Sequence, residues 1–393
     1  MRFLIVVLVF CSALFARIDI IELSEDMPFG EDISWLRMAN GALYIDHTSV
    51  YLSSKNNIYI QKRLTPGKVE VWSTQIKNYR DYTIMRVLPV EDKIYFNLIL
   101  GNGRFYLAGI KKGSGQVLNL VERHGFPGRM IGFDNFIYVG GLYWSQYGKF
   151  LDKYDNSRGE KVSEDDIQKF DSLFDLQPGF TLCAYDDSLK LIDPVNKISR
   201  SSVNAKSFMS LYLPQPYDID KSGEIVLADN VEGYFIKRYD EKHHYIDQFE
   251  VINDHYKELP GVLSKESAIT LKSTKGSYSA IYAVYEKEKF VISSFYQSGA
   301  PQNLPEPPYY YDISTKGGEH VTSGSLGFPL VGEDEEDKMF FYISVEGGWF
   351  ENDRIFLVGM SVEDILDGQA STEFINEAVT GFMNRRTDPN DHK

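Results

Sequence analysis

Several groups of residues in this chain have types and spacings that could do chemistry. Asp218, Asp220, Ser222 and Asp229 stand at positions 1, 3, 5 and 12 of a twelve-residue calcium-loop spacing, with Gly223 at position 6. Oxygen ligands at that spacing could surround a hard cation. The same Asp-x-x-Gly is also an ordinary hairpin turn, in which Asp accepts backbone N–H bonds and Gly takes positive φ. The hairpin is the stronger reading, because the flanking residues are strand formers. His243-His244, with Asp254 and His255 nearby, has zinc-ligand chemistry. Adjacent side chains on a strand point to opposite faces, so the two cannot easily hold one ion. They read as part of a solvated turn. Cys183 lies in Phe180-Thr181-Leu182-Cys183-Ala184 and reads as inert core. Tyr143-Trp144, Tyr309-Tyr310-Tyr311 and Trp349-Phe350 could stack on sugars or grip a peptide. Trp144 and Trp349 are the better candidates, since both follow Gly-rich turns. There is no Gly-x-Ser-x-Gly, His-Glu-x-x-His, Walker or Gly-x-Gly-x-x-Gly sequence.

The elements that must position these residues are short strands. Asp92-Lys93-Ile94-Tyr95-Phe96 is followed by Gly101-Asn102-Gly103 and another aromatic-aliphatic run, which is a hairpin signal. The Asp-x-x-Ile-Tyr theme returns with strand starts at Leu43, Ile94, Ile137, Leu189, Ile225, Ile281 and Met339. An uneven period of about 50 residues predicts propeller blades with loops of varied length. The sequence therefore predicts an all-β propeller over 17–360, with six four-stranded blades and seven as the alternative. The alternating residues of 17–23 could close the ring. Ser361-Val362-Glu363-Asp364 has a capping-box-like start, and the apolar spacing from Thr372 predicts an amphipathic helix on the rim. A frayed tail ends this third segment, 361–393. Residues 301–308 are the nearest candidate for a linker.

If the strand starts are in register, eight residues back from four of them lie Arg86, Arg129, Thr181 and Tyr217. These would occupy equivalent places on innermost strands. Two such arginines could face the axis and bind an anion bidentately. The alternative is ion pairing between blades.

The stretch Pro216-Tyr217-Asp218-Ile219-Asp220-Lys221-Ser222-Gly223-Glu224-Ile225-Val226-Leu227-Ala228-Asp229, continued by Phe235-Ile236-Lys237-Arg238-Tyr239-Asp240, resembles one NHL-type propeller repeat. It departs from that pattern at Glu241, where the family has Gly. His124-Gly125-Phe126-Pro127-Gly128-Arg129 resembles a Gly-x-Gly-Pro-Gly turn of exported six-bladed bacterial propellers, with His124 in place of the first Gly. The resemblance implies the fold. It leaves function open, because this architecture hosts both enzymes and binders.

Met1-Arg2, an apolar run from Phe3 to Phe10, then Cys11-Ser12-Ala13-Leu14-Phe15 and the small Ala16 at the cut read as a signal peptide, too short to span a bilayer. Beyond it there is one cysteine and no Asn-x-Ser/Thr, which favours a bacterial periplasm or cell exterior. The net charge of −15 argues against nucleic acid. The leading expectation is a non-catalytic extracytoplasmic propeller that binds a small ligand or a protein through its axial channel or loop face. The runner-up is a metal-dependent hydrolase or lyase of the lactonase-like class, with calcium as the candidate ion.

Overall fold

The computed structural model describes residues 18–22, 42–46, 49–53, 57–65, 68–75, 82–100, 104–111, 116–125, 127–145, 179–198, 215–230, 233–259, 276, 278–297, 309–333, 338–345, 354–368 and 370–386. For 42–75 and 82–87 only the backbone course is described. Among these residues the strands form six four-stranded antiparallel sheets. In chain order they are β2–β5 (Ala42–Asp46, Ser49–Ser53, Asn57–Thr65, Lys68–Gln75), β6–β9 (Tyr82–Val90, Lys93–Leu100, Phe105–Lys111, Val117–Arg123) and β10–β13 (Met130–Phe133, Phe136–Tyr143, Phe180–Tyr185, Leu191–Lys197). Then come β14–β17 (Tyr217–Ile219, Ile225–Asp229, Phe235–Tyr239, Tyr245–Glu250) and β18–β21 (Ser279–Glu286, Phe290–Gln297, Tyr309–Thr315, His320–Leu326). The last sheet joins β22–β24 (Leu330–Glu333, Met339–Val345, Arg354–Met360) to β1 (Asp19–Glu22) at its outer edge. The first strands of neighbouring sheets touch in the cycle β2, β6, β10, β14, β18, β22 and back to β2. This closed ring of meanders is a β-propeller.

The ring is closed by pairing the two ends of the chain. β1 runs antiparallel to β24 with Asp19 opposite Gly359 and Glu22 opposite Phe356. Arg354 clamps Glu22 through Nε and Nη2 at 2.5 and 2.6 Å, and Lys338 pairs with Asp19. The closing strand expected in 17–23 is thus present.

Period-2 alternation divides each strand between two junctions. Met130 faces the second sheet with Leu88, Tyr95 and Leu107, whereas Ile131 faces the fourth with Tyr217, Ile225 and Leu227. Val226 and Ala228 then face the fifth sheet with Ile281, Val284 and Phe295. Every residue of β15 is buried, because both of its faces meet a neighbouring sheet. On β17, at the outside, all but one residue is exposed.

Two helices, α1 (Val362–Leu366) and α2 (Thr372–Arg386), follow β24. Ser361 caps α1, its Oγ accepting the Asp364 N–H at 3.1 Å. Val362, Ile365, Ile375 and Val379 enter the apolar core between the fifth and sixth sheets. The helices therefore share the core of the propeller.

Four of the seven recurring starts, Ile94, Ile137, Ile225 and Met339, do open second strands. Leu43 and Ile281 belong instead to the innermost strands β2 and β18. Leu189 sits in the β12–β13 turn at φ 62°. A β-branched or aromatic run after Asp marks a strand, and nothing local tells the strand its rank in a sheet. Residues 1–16, 301–308 and 387–393 lie outside the described residues.

Candidate functional site

Arg129, just before β10, reaches across to two neighbouring sheets. Its Nη1 donates to the Tyr217 carbonyl at 2.8 Å, and Nη2 lies 3.6 Å from Asp218 Oδ1. Its guanidinium stands 5.2 Å from the centre of the Tyr285 ring. One side chain thus ties the third sheet to the innermost strands of the fourth and fifth. It keeps 17% of its side-chain surface exposed, while that of Asp218 is 2%. Asp218 Oδ2 in turn accepts the Glu286 N–H at 2.8 Å.

From Glu286 a charged seam runs outward between the fourth and fifth sheets. Lys316, in the β20–β21 turn, places Nζ 2.6 Å from Glu286 Oε1 and 3.7 Å from Asp220 Oδ2. Arg238 on β16 lies 3.4 Å from Glu224 and bonds Asp247 through two nitrogens at 2.7 and 2.8 Å. Burial pushes the Glu286 carboxyl up to about 7; Lys316 opposes this, and Glu224 and Asp220 add to it. Burial, the largest single influence, disfavours the charge on Lys316, but its bond to Glu286 and the charges of Glu286, Asp220 and Glu224 together outweigh that and raise its pKa. A second pair, Lys287 with Glu333, links β18 to β22.

The acids with calcium-loop spacing are each engaged elsewhere. Asp220 Oδ1 accepts Ser222 N, Ser222 Oγ and Glu224 N at 2.8, 2.6 and 3.0 Å. Burial alone would raise its pKa, but these bonds hold it below the usual range. Asp229 Oδ2 bonds Lys237 Nζ at 2.7 Å. The same hairpin chemistry recurs at Asp186 with Ser188 and Lys190, and at Asp240 with Lys242 and His244. The spacing is therefore hairpin punctuation, and the three carboxylates do not converge. Among the described residues no group of three His, Cys, Asp or Glu is arranged to hold a metal ion.

The remaining sequence candidates divide. Tyr217 is fully buried, and its hydroxyl donates to the Tyr138 carbonyl at 2.9 Å, so it faces the third sheet and not the axis. Trp144 is 0% exposed and offers no stacking surface. Thr181 lies on β12, a third strand. Arg86 stands on β6 opposite Asn97, and its side chain is outside the description, as is Trp349. His243 departs from the solvated-turn expectation. It sits at φ 65° with Nδ1 2.8 Å from Asp193 and Nε2 3.0 Å from the Tyr138 hydroxyl. His244 does point to solvent, so the two rings diverge as alternation requires.

Glu286, Lys316, Lys287 and Glu333 were not singled out from sequence. The signal available was Glu286-Lys287-Glu288-Lys289, an alternating charge run that follows a strand of buried residues. Chemically, the seam can exchange a proton at Glu286 near neutral pH.

No family model matches this chain, and no curated protein matches it in sequence. Solved structures similar to it include a TolB-like protein from Agrobacterium tumefaciens, 10% identical, with a TM-score of 0.37 over 74% of this chain and 82% of that one. Hsv2 from Kluyveromyces lactis is also 10% identical, with a TM-score of 0.37 over 77% and 70% of the two chains. An uncharacterized protein from Listeria monocytogenes is 9% identical, with a TM-score of 0.34 over 78% and 75%. Likeness at this level says nothing of ligand or activity.

Proposed function

We infer that this is an exported, six-bladed, non-catalytic propeller that binds a ligand or protein partner through its axial channel and the end of the ring where the long connections emerge. The observation that carries the channel part of the reading is Arg129, whose side chain keeps 17% of its surface exposed while it is held across the innermost strands; the choice of end rests on the connections. Such a group can meet an anionic group of a ligand without rebuilding the ring. The topology supports the choice of end. In a four-stranded meander, turns one-to-two and three-to-four lie at one end, and all other connections lie at the opposite end. The first end carries the tight turns at Asp134-Asn135, Asp186, Asp220 and Asp240. The described strands on either side of 146–178, 199–214, 260–275 and 298–308 meet those stretches at the second. The cycle of six first strands supports the blade number, and the apolar segment at 3–10 supports export.

The metal-hydrolase alternative has less support, because Asp218, Asp220, Asp229 and Glu333 are already engaged by Arg129, backbone, Lys237 and Lys287. Two measurements test the reading. Photo-crosslinkers placed within 146–178 and within 260–275 should capture the partner, whereas one at Lys242 should not. Equal capture at Lys242 overturns the choice of end. Lactone or ester hydrolysis that disappears with a chelator and returns with calcium overturns the non-catalytic reading.

A further inference from the structure

At the opposite side of the third sheet lies a buried cation that the seam does not use. Arg123 ends β9 and is 2% exposed. Its Nη2 donates to the carbonyls of Gly140 and Gly141 at 3.0 and 2.9 Å, and Nη1 donates to the Tyr185 hydroxyl at 3.2 Å. All three acceptors are uncharged. The nearby acids cannot supply a counter-charge. Burial pushes the Cys183 thiol up to about 11 despite the pull of Arg123, and it raises Tyr185 and Tyr143 as well. No described carboxylate forms an ion pair with Arg123. Among the described residues this buried charge has no counter-charge, an arrangement that is costly in general.

Two further observations point to what meets it. Arg123 Nε is buried with no hydrogen-bond partner, and so is Nδ1 of the adjacent His124. The backbone is built to bring this corner against the third sheet. Gly125 has φ 144°, and a Cβ there would lie 2.0 Å from the Leu142 carbonyl oxygen. Trp144 N donates to the His124 carbonyl at 2.5 Å, and the His124 ring stands edge-on to Tyr143 at 6.1 Å. The corner thus keeps one guanidinium N–H, and an imidazole nitrogen able to carry another, without acceptors among the described residues.

We propose that Arg123, assisted by His124, binds a small monovalent anion, either a halide or a small carboxylate, at the junction of the second and third sheets. The site is interior, so the ion is taken up as the ring folds or through local opening at Gly125 and Gly140–Gly141. It stands independently of any partner bound elsewhere.

The experiment compares thermal unfolding in sodium chloride, sodium acetate and sodium gluconate at equal ionic strength. Chloride or acetate should give a saturable rise in Tm of roughly 3 °C over gluconate. The salt that produces it separates halide from carboxylate. Arg123→Gln, neutral and of similar length, should lose the dependence. Identical Tm in all three salts, or the same dependence in Arg123→Gln, overturns the proposal. If Arg123→Gln does not fold, crystals of the unaltered protein grown in bromide or in acetate decide. Anomalous bromide density, or an ordered acetate, within hydrogen-bond distance of Arg123 Nε is expected, and neither ion at that place is the overturning result.

Discussion

The junction between the fifth and sixth sheets and the junction between the fourth and fifth solve the same packing problem with different chemistry. The former is mainly apolar, with Ile313, Leu330, Phe341, Phe356 and Val358 against Ile375 and Val379 of α2, and it carries the buried Lys287–Glu333 pair at its turn end. The latter has an apolar centre at Val226, Ala228, Ile281 and Phe295, but its turn end is ionic, from Asp218 through Glu286 and Lys316 to Arg238. The helices account for the contrast. Where α1 and α2 bring apolar side chains, more of the junction is apolar. Where only hairpin turns meet, solvent is near and charges can be tolerated as pairs. The apolar junction supplies stability through area removed from water. The ionic one supplies registry and a dependence on pH.

The largest expected effect lies in the apolar junction. Phe356, 0% exposed, packs against Phe382 of α2, so Phe356→Ala should cost about 3–5 kcal/mol in denaturant unfolding. A loss below ~1 kcal/mol would mean that the helices do not seal this junction.

The ionic junction should respond to pH instead. Glu286 has its folded pKa raised from 4.5 to about 7. The native state therefore binds the proton more tightly than the unfolded chain does. The stabilising contribution is complete below pH 4.5 and is lost as pH rises through 7. At about 1.36 kcal/mol per unit, the loss amounts to at most about 3 kcal/mol. Glu286→Gln should flatten this part of the stability profile between pH 5 and 8. An unchanged profile would place the titrating group elsewhere.

Turn chemistry should come next. Asp220→Ala removes the acceptor of two backbone N–H groups and should cost about 1 kcal/mol, as should Asp186→Ala in the equivalent hairpin. A much larger loss at Asp220 alone would show that the seam depends on it. The smallest effect is expected at Asp247, which is half exposed. Asp247→Asn should change stability by less than about 1 kcal/mol, and the change should fade in high salt.

The sequence revealed the strands more readily than their roles. Ile94, Ile137, Ile225 and Met339 open second strands as their spacing suggested, and residues 17–23 hold the closing strand. The hairpin reading of Asp-x-x-Gly at Asp220 was legible because that turn is made within five residues. The helices were legible from Ser361 and from the apolar spacing after Thr372. Tyr217 and Trp144 show the limit of the same approach. Both have the chemistry of a ligand contact, and both are wholly buried.

The chain by itself determined a series of antiparallel hairpins, because alternation and Asx turns act between residues close in sequence. Tertiary structure alone decided that Arg129 reaches Asp218 and Tyr285, that Glu286 meets Lys316 and that Arg123 is buried among uncharged groups. Those contacts join residues 30 to 156 positions apart, on different sheets or, for Glu286 and Lys316, at distant points of one sheet, except for the shorter reach of Arg123 to Gly140 and Gly141. Their partners are set by the stacking of sheets around the ring, a geometry that no local pattern encodes.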